Sequence, residues 1–284
     1  MSLRTAESQR ILVVTGGHPF ELEPFLEIFL AWPDLDWTHV QAPEAQQCFR
    51  ADLAGTWDAI VCYDMQGIEF RKPDPPIFHQ PPHDYAVGLC EMLDAGQGIV
   101  FLHHALSAWP AWPMWPEIVG GRWHYLPGVL DGHEWPASGY TREVEHRIEP
   151  IIADHPVWAG LGDGFDIVDE VYLHPLLLER VTPILRTRHD MHAASFYSGE
   201  HAVRGRLYES EGWTHPVGTG IVGWVKPAGQ SPVAYLQPGH GPAAYANSGF
   251  RHLLANAVGW VASEEAHRWA ADQPDRSTLV ERLG

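Results

Sequence analysis

Lysine is almost missing from this sequence: Lys72 and Lys226 are the only two, and Lys and Arg nowhere form a run. Against 36 Asp and Glu stand 18 Lys and Arg, a formal net charge of −18. So negative a chain repels phosphate backbones, and nucleic acid is not an expected partner. Cysteine is scarce as well. Cys48, Cys62 and Cys90 are odd in number and lack metal-like spacing, which argues against a disulfide framework and fits a reducing compartment. The polar start MSLRTAESQR is followed by no apolar signal region, and no apolar run approaches the ~20 residues of a membrane helix. The expected location is the cytoplasm, with no membrane partner. Internal repeats and linkers are also missing, so residues 1–284 read as one domain, with a core over about 11–262 and a polar tail, 271–284, that frays.

What is present in excess is histidine, 18 residues, and tryptophan, 13. Histidine titrates near neutrality and is the commonest metal ligand. For any single one, the plain reading is a surface residue in a lysine-poor protein.

The regular elements come early and late. Ile11 to Thr15 is a short β-branched run that stops at Gly16-Gly17-His18, as a strand buried on both faces of a parallel sheet would. Leu22, Phe25, Leu26, Phe29 and Leu30 follow at helical spacing. Strands are expected at Trp37–Gln41, Asp58–Asp64 and Gly98–His103, with a helix over His83–Asp94 before the last of these. Strands alternating with helices imply βαβ crossovers and an α/β fold built on a parallel sheet. From Ala108 to Trp135 the chain is irregular and rich in Trp, Pro, Gly and His. Tyr140–Glu149 reads as an exposed strand, and Phe165–Leu173 and Val181–Thr187 as further strands. Asp190–Thr219 reads as a long loop. Ile221–Val225 and Val233–Gln237 form an expected antiparallel pair, and Phe250–Ala262 a helix.

In open α/β sheets, ligands bind beyond the carboxyl ends of the strands. The residues at those exits are His18 after strand one, Asp64 at the end of strand three, His103 and His104 after strand four, and His240 in the Pro238–Gly241 turn after the late strand. Asp169, Glu170 and Tyr172 interrupt an apolar run. Imidazoles with a carboxylate suit an acid/base cluster or a divalent metal, zinc first, with His18, His103 and His240 as ligands. No local H-x-x-x-H motif supports the metal, and no other cofactor is expected. Trp109, Trp112 and Trp115 recur every third residue, each followed by Pro. A polyproline II segment would place the three indoles on one face, suited to a sugar ring. The competing reading is a hydrophobic segment packed on the core or a contact between copies in a homo-oligomer.

Several stretches in order resemble one known family: ILVVTGGHPFE, DAIVCYD, AGQGIVFLHHA, EIVGGRWHYLPG, DHPVWAGL, FDIVDEVYLHP and VAYLQPGHGPAAYANSGFRHLLANAVGWVA. They are similar to the ThuA-like (trehalose utilisation) family, from about Ile11 to Ala262. The most specific pieces are G-x-V-x-L-H, GGR, D-E-x-Y and the terminal G-H followed by F-R-x-L-L-x-N. The resemblance implies a flavodoxin-like parallel sheet sandwiched by helices, the class I glutamine amidotransferase-like fold, with some antiparallel strands. In true amidotransferases the turn after strand four carries a nucleophilic cysteine. Here it reads Leu102-His103-His104-Ala105, so glutamine hydrolysis through a thiol is not expected. Carried over residue by residue, the family's histidine falls on His103, its D-E-x-Y acid on Glu170, and its G-H histidine on His240. His18 matches the family's histidine-containing first loop, and His104 stands where the family more often has a small residue.

The resemblance implies disaccharide or keto-sugar catabolism. The first expectation is thus an enzyme, a hydrolase, lyase or isomerase of a small sugar derivative, with catalytic His103, Glu170 and His240. His18, Asp64, His104, Trp109 and Tyr172 are expected to bind the substrate. The alternative is a non-catalytic small-molecule-binding or regulatory module, because a fold alone does not choose. A serine peptidase is set aside for want of any G-x-S-x-G elbow.

Overall fold

The structure, a computed structural model, describes residues 8–33, 35–272 and 278–283. Its centre is a nine-stranded sheet. In chain order its strands are β1 (Gln9–Gly16), β2 (Leu35–Gln41), β3 (Ala59–Asp64), β4 (Ile99–Leu102), β5 (Val144–Pro150), β6 (Phe165–Asp169), β7 (Thr182–Thr187), β8 (Ile221–Ala228) and β9 (Ser231–Leu236). Across the sheet they run β6-β5-β7-β8-β9-β4-β3-β1-β2. The half from β9 to β2 is parallel, and the half from β9 to β6 is antiparallel throughout. The expected βαβ half and the expected antiparallel pair are therefore both present and share one sheet.

Alternation along β1 explains its run of branched residues. Leu12 and Val14 enter one apolar layer and Ile11 and Val13 the other, all essentially without exposure. Helix α1 (Leu22–Leu30) closes the second layer through Phe25, Ile28 and Phe29, while Leu30, on the expected apolar face, stays 69% exposed. Helix α2 (His83–Asp94) buries Leu89, Cys90 and Leu93 in the first layer.

The middle of the chain departs from expectation in three places. The Trp-Pro segment is not polyproline II, which has no internal hydrogen bonds. The Trp112 N–H donates to the Trp109 carbonyl at 2.9 Å, and that of Trp115 to Trp112 at 3.1 Å. These turns feed α3 (Met114–Val119), and all three indoles lie in the core. The expected strand Phe165–Leu173 is cut at Glu170 and Val171. Tyr172–Leu173 leaves for a small sheet with Gly139–Tyr140 and Tyr197–Ser198. The expected loop 190–219 carries that last strand and α4 (Gly199–Val203), whose Ser198 side chain caps it by accepting the His201 N–H.

At the end of the chain, α5 (Gly241–Ala246), α6 (Ser248–Val261) and α7 (Glu264–Ala271) cover the sheet. The expected fraying fails at 278–283. Leu279 is 3% exposed, and its N–H and that of Val280 donate to the Asp94 carboxylate at 2.9 and 3.1 Å. Residues 273–277 of the expected tail lie outside the described residues. Among the described residues, no helix is long and apolar enough to cross a membrane.

Candidate active site

The exits of β1, β4, β6 and β9 meet at one point. Each histidine arrives there for a local reason. Gly17, at φ +77°, brings the β1 exit so close to β3 that a Cβ would lie 2.0 Å from the Met65 carbonyl oxygen. That path delivers His18. Gly239, at φ +126°, turns the chain after β9 over the Phe250 ring and delivers His240. His103 follows β4 in the left-handed region at φ +44°, where a side chain with a Cβ is strained. The strain is held in place from two sides. The His103 Nδ1–H donates to the Gln237 carbonyl at 2.5 Å, and the Tyr235 hydroxyl donates to the His103 carbonyl at 3.1 Å.

That first bond sets the tautomer. A carbonyl only accepts, so Nδ1 carries the proton and Nε2 presents its lone pair to the site. Around Nε2 stand the Tyr172 hydroxyl at 2.8 Å, Glu170 Oε2 at 3.1 Å and His240 Nδ1 at 3.2 Å. Glu170 Oε2 and His240 Nδ1 are 3.4 Å apart. His104 completes a group of four whose donor atoms all lie within 4.8 Å of one another. Its Nε2 is buried without a hydrogen-bond partner. His18 stacks on His104 at 4.0 Å between ring centroids and stands 6.2 Å from His240. It belongs to the wall, so of the expected metal residues His18, His103 and His240 the last two lie in the donor group, beside His104 and Glu170.

Asp169 is the bracket of the site. Its fully buried carboxylate accepts the N–H groups of Glu170 (2.9 Å), His240 (2.8 Å) and Gly239 (2.7 Å), tying the β6 exit to the β9 exit. Burial pushes it up to about 8 against the opposing pull of those three donors. Gln237 is a second bracket, for its side-chain oxygen accepts the Tyr172 N–H at 2.9 Å. Burial moves the titrating groups in one direction, towards neutrality. It raises Glu170, although charge on His240 opposes, and it lowers His103 to about 3 and His18 to about 4, the latter helped by His240 and His103.

The donor group opens on a cleft of about 200 Å³ whose lining includes His18, His104, Glu170, Tyr172 and His240. The four residues expected at the strand exits after β1, β4 and β9, His18, His103, His104 and His240, thus come together, but His103 does not touch the cleft. It is 0% exposed and stands behind Glu170 and His240. Two other expected residues are elsewhere. Asp64 faces the Cys62 side of β3, beside Tyr85, where burial pushes it up to about 7. Trp109, at φ +47° and 3% exposed, packs its ring 5.4 Å from Tyr85 behind the wall. The sequence reading noted Asp169 without giving it a role, and it missed Gln237 and the aromatic walls Trp123, Tyr125 and Tyr140. Gln237 ends a strand, the same position that singled out the histidines. The wall residues come from the irregular middle, where no periodicity marks them.

The family model described as trehalose utilisation, ThuA, matches residues 77–261 of this chain. Among solved structures, a ThuA-like protein from Parabacteroides merdae superposes with a TM-score of 0.63 at 17% identity, covering 90% of each chain. One from Bacteroides uniformis gives 0.63 at 15% identity, over 93% of this chain and 95% of its own. A cytoplasmic protein from Salmonella typhimurium gives 0.52 at 12% identity, over 88% and 98%. At such identities these likenesses concern the fold. No curated protein matches the sequence.

Proposed function

The chain belongs to the ThuA, trehalose-utilisation, family, and from that premise we propose that its cleft binds a small carbohydrate, a keto-sugar or a glycoside, beside a divalent metal held by His103, Glu170 and His240. One observation carries the reading. The three donor atoms form a triangle with sides of 3.1, 3.2 and 3.4 Å. Ligands of tetrahedral zinc, with bonds of about 2.0–2.1 Å, sit about 3.3 Å apart. Two imidazoles and a carboxylate suit zinc and neighbouring ions, and the His103 Nδ1–H bond to a carbonyl is the support that metal-ligating histidines usually have.

A bound ion would supply Lewis-acid polarisation of a sugar hydroxyl or carbonyl. The rest is done by side chains. Tyr172 closes one flank, its hydroxyl giving up the single Nε2 lone pair to a bound ion, and Asp169 holds the His240 and Glu170 backbones so that their side chains converge. Glu170 and His240 face the cleft and can move a proton to or from the bound sugar. His103, being buried, would touch the ion and not the sugar. A cleft of about 200 Å³ is below the ~300–1,000 Å³ of drug-sized sites and suits one sugar ring. No cysteine follows β4, and burial raises the thiols of Cys62 and Cys90, so thiol chemistry is not part of this reading.

The test is elemental analysis of untagged protein, with zinc and manganese back-titration after chelation. About one ion per chain is expected, lost in His240→Ala and Glu170→Gln, and turnover of a panel of keto-sugars and disaccharides should fall by about 10²-fold or more in both. Full turnover in metal-free protein would replace the metal with acid/base chemistry by the same three groups. Sugar binding without turnover on any panel member would favour the binding-module alternative.

A further inference from the structure

The hairpin of Ile68–Arg71 and Asp74–Phe78 overhangs the cleft, and its turn contains Lys72. Lys72 lines both the deep cleft and an open basin of about 850 Å³ in front of it, and Arg71 lines the basin. His18 and Phe70 also border both, so the two spaces are continuous.

The side chains of these two cations, like that of Arg142 over the Tyr208 ring, have no acidic partner, and of the three only these two line the site. The chain has twice as many acidic as basic residues, so a cation has carboxylates to choose from. Arg10, Arg50, Arg147, Arg186, Arg204 and Arg206 are typical, each in an ion pair. Arg122 and Lys226 donate to backbone carbonyls. Among the described residues, Arg71 and Lys72 make no ion pair or hydrogen bond, and the Lys72 ammonium stands only over the Phe70 ring, 5.9 Å from its centroid. Asp74, across the hairpin, pairs with neither. The basin at the mouth is thus lined by two cations, Arg71 and Lys72, and one carboxylate, Asp74.

Resting on the carbohydrate reading above, we propose that the substrate is an anionic sugar, whose carboxylate or phosphate is received by Lys72 and Arg71 while its ring enters towards Glu170 and His240. Unpaired cations at the mouth of a cleft in a strongly negative protein draw in an anion that the remaining surface repels, and a fixed anion orients the ring with one end inward.

Titration calorimetry on the full chain tests this with D-glucose, D-glucuronate and D-glucose 6-phosphate, for the parent and for the Arg71→Gln/Lys72→Gln double variant. The parent is expected to bind at least one anionic sugar about tenfold more tightly than glucose at low salt, a gain in the range of two exposed ion pairs. Raised salt should erode the preference, and the double variant should bind all three alike. Preference for glucuronate alone identifies the carboxylate, and for glucose 6-phosphate alone the phosphate. Equal affinities in the parent, or a preference that survives in the double variant, overturn the anion site and leave the carbohydrate reading standing. Binding of none of the three overturns the anion site, and the panel of keto-sugars and disaccharides then decides the carbohydrate reading separately.

Discussion

Asp169 shows how one residue can hold a site without touching a ligand. Its two oxygens accept three backbone N–H groups, two of them from the turn that carries His240. In Asp169→Asn an amide NH₂ faces at least one of these donors, leaving a buried N–H unpaired at a cost of about 1–3 kcal/mol. Urea unfolding should register that loss, and the variant should also bind metal more weakly, because His240 is no longer held. Unchanged stability would mean that the bracket is not needed. His103 makes the same point about position. Both were visible as polar residues next to a strand end, but a strand exit says nothing of depth. His103 is sealed beneath Gln237 and Tyr235, while His240, after an equally apolar strand, keeps 30% of its side chain exposed.

At the scale of elements, two segments of the chain turn inwards: the Trp-Pro segment, as its core-packed reading had it, and the polar tail, whose composition suggested the surface. Trp115 is 1% exposed and donates its indole N–H to the Ala105 carbonyl at 2.8 Å, directly below the turn that carries His103 and His104. Trp115→Ala should cost about 3–5 kcal/mol. Trp109→Phe should leave sugar affinity unchanged, since this ring is behind the wall. A loss of binding in calorimetry would restore its expected place in the cleft. The segment 278–283 is the second case. Leu279→Ala should cost about 2 kcal/mol in denaturant melts and leave ligand binding intact. An unaffected melting curve would make this segment dispensable. The change to a polar tail at residue 271 was legible in the sequence, but the docking of one leucine and the capping of two N–H groups by Asp94 were not, since the partner is 185 residues away.

For the whole molecule, the relevant quantity is how many histidines are buried neutral. His124, His146 and His174 are each lowered to about 4, first by burial, and for His124 also by Arg122 and by neighbouring histidines. Their unfolded values are near 6.5. As pH falls through 6.5 the unfolded chain takes up these protons first, so the native state loses stability down to about pH 4 and no further from these groups. Asp64 and Asp169, raised to about 7 and about 8, act in the opposite sense over this window, so the test is a difference: from pH 6.5 to 4 the melting temperature of metal-free His174→Asn should fall less, or rise more, than that of the parent. Parallel profiles would refute it. The fold on which this rests is a nine-stranded sheet, half parallel and half antiparallel.

The periodicities in the chain settled the sheet and its helices. Continuous apolar runs such as Ile11–Val14 and Val233–Leu236 suit strands covered on both faces in a layered α/β fold, and the glycines after them mark where backbone must approach backbone. The ordered motifs settled the family. The tertiary structure decided which polar groups meet and which of them reach the cleft. Glu170 points inward because the chain changes sheets at that residue, Trp109 is excluded because turns replace an extended segment, and Lys72 stands at the mouth because a hairpin folds over it. Each depends on contacts between residues far apart in the chain, and local pattern carries no information about them.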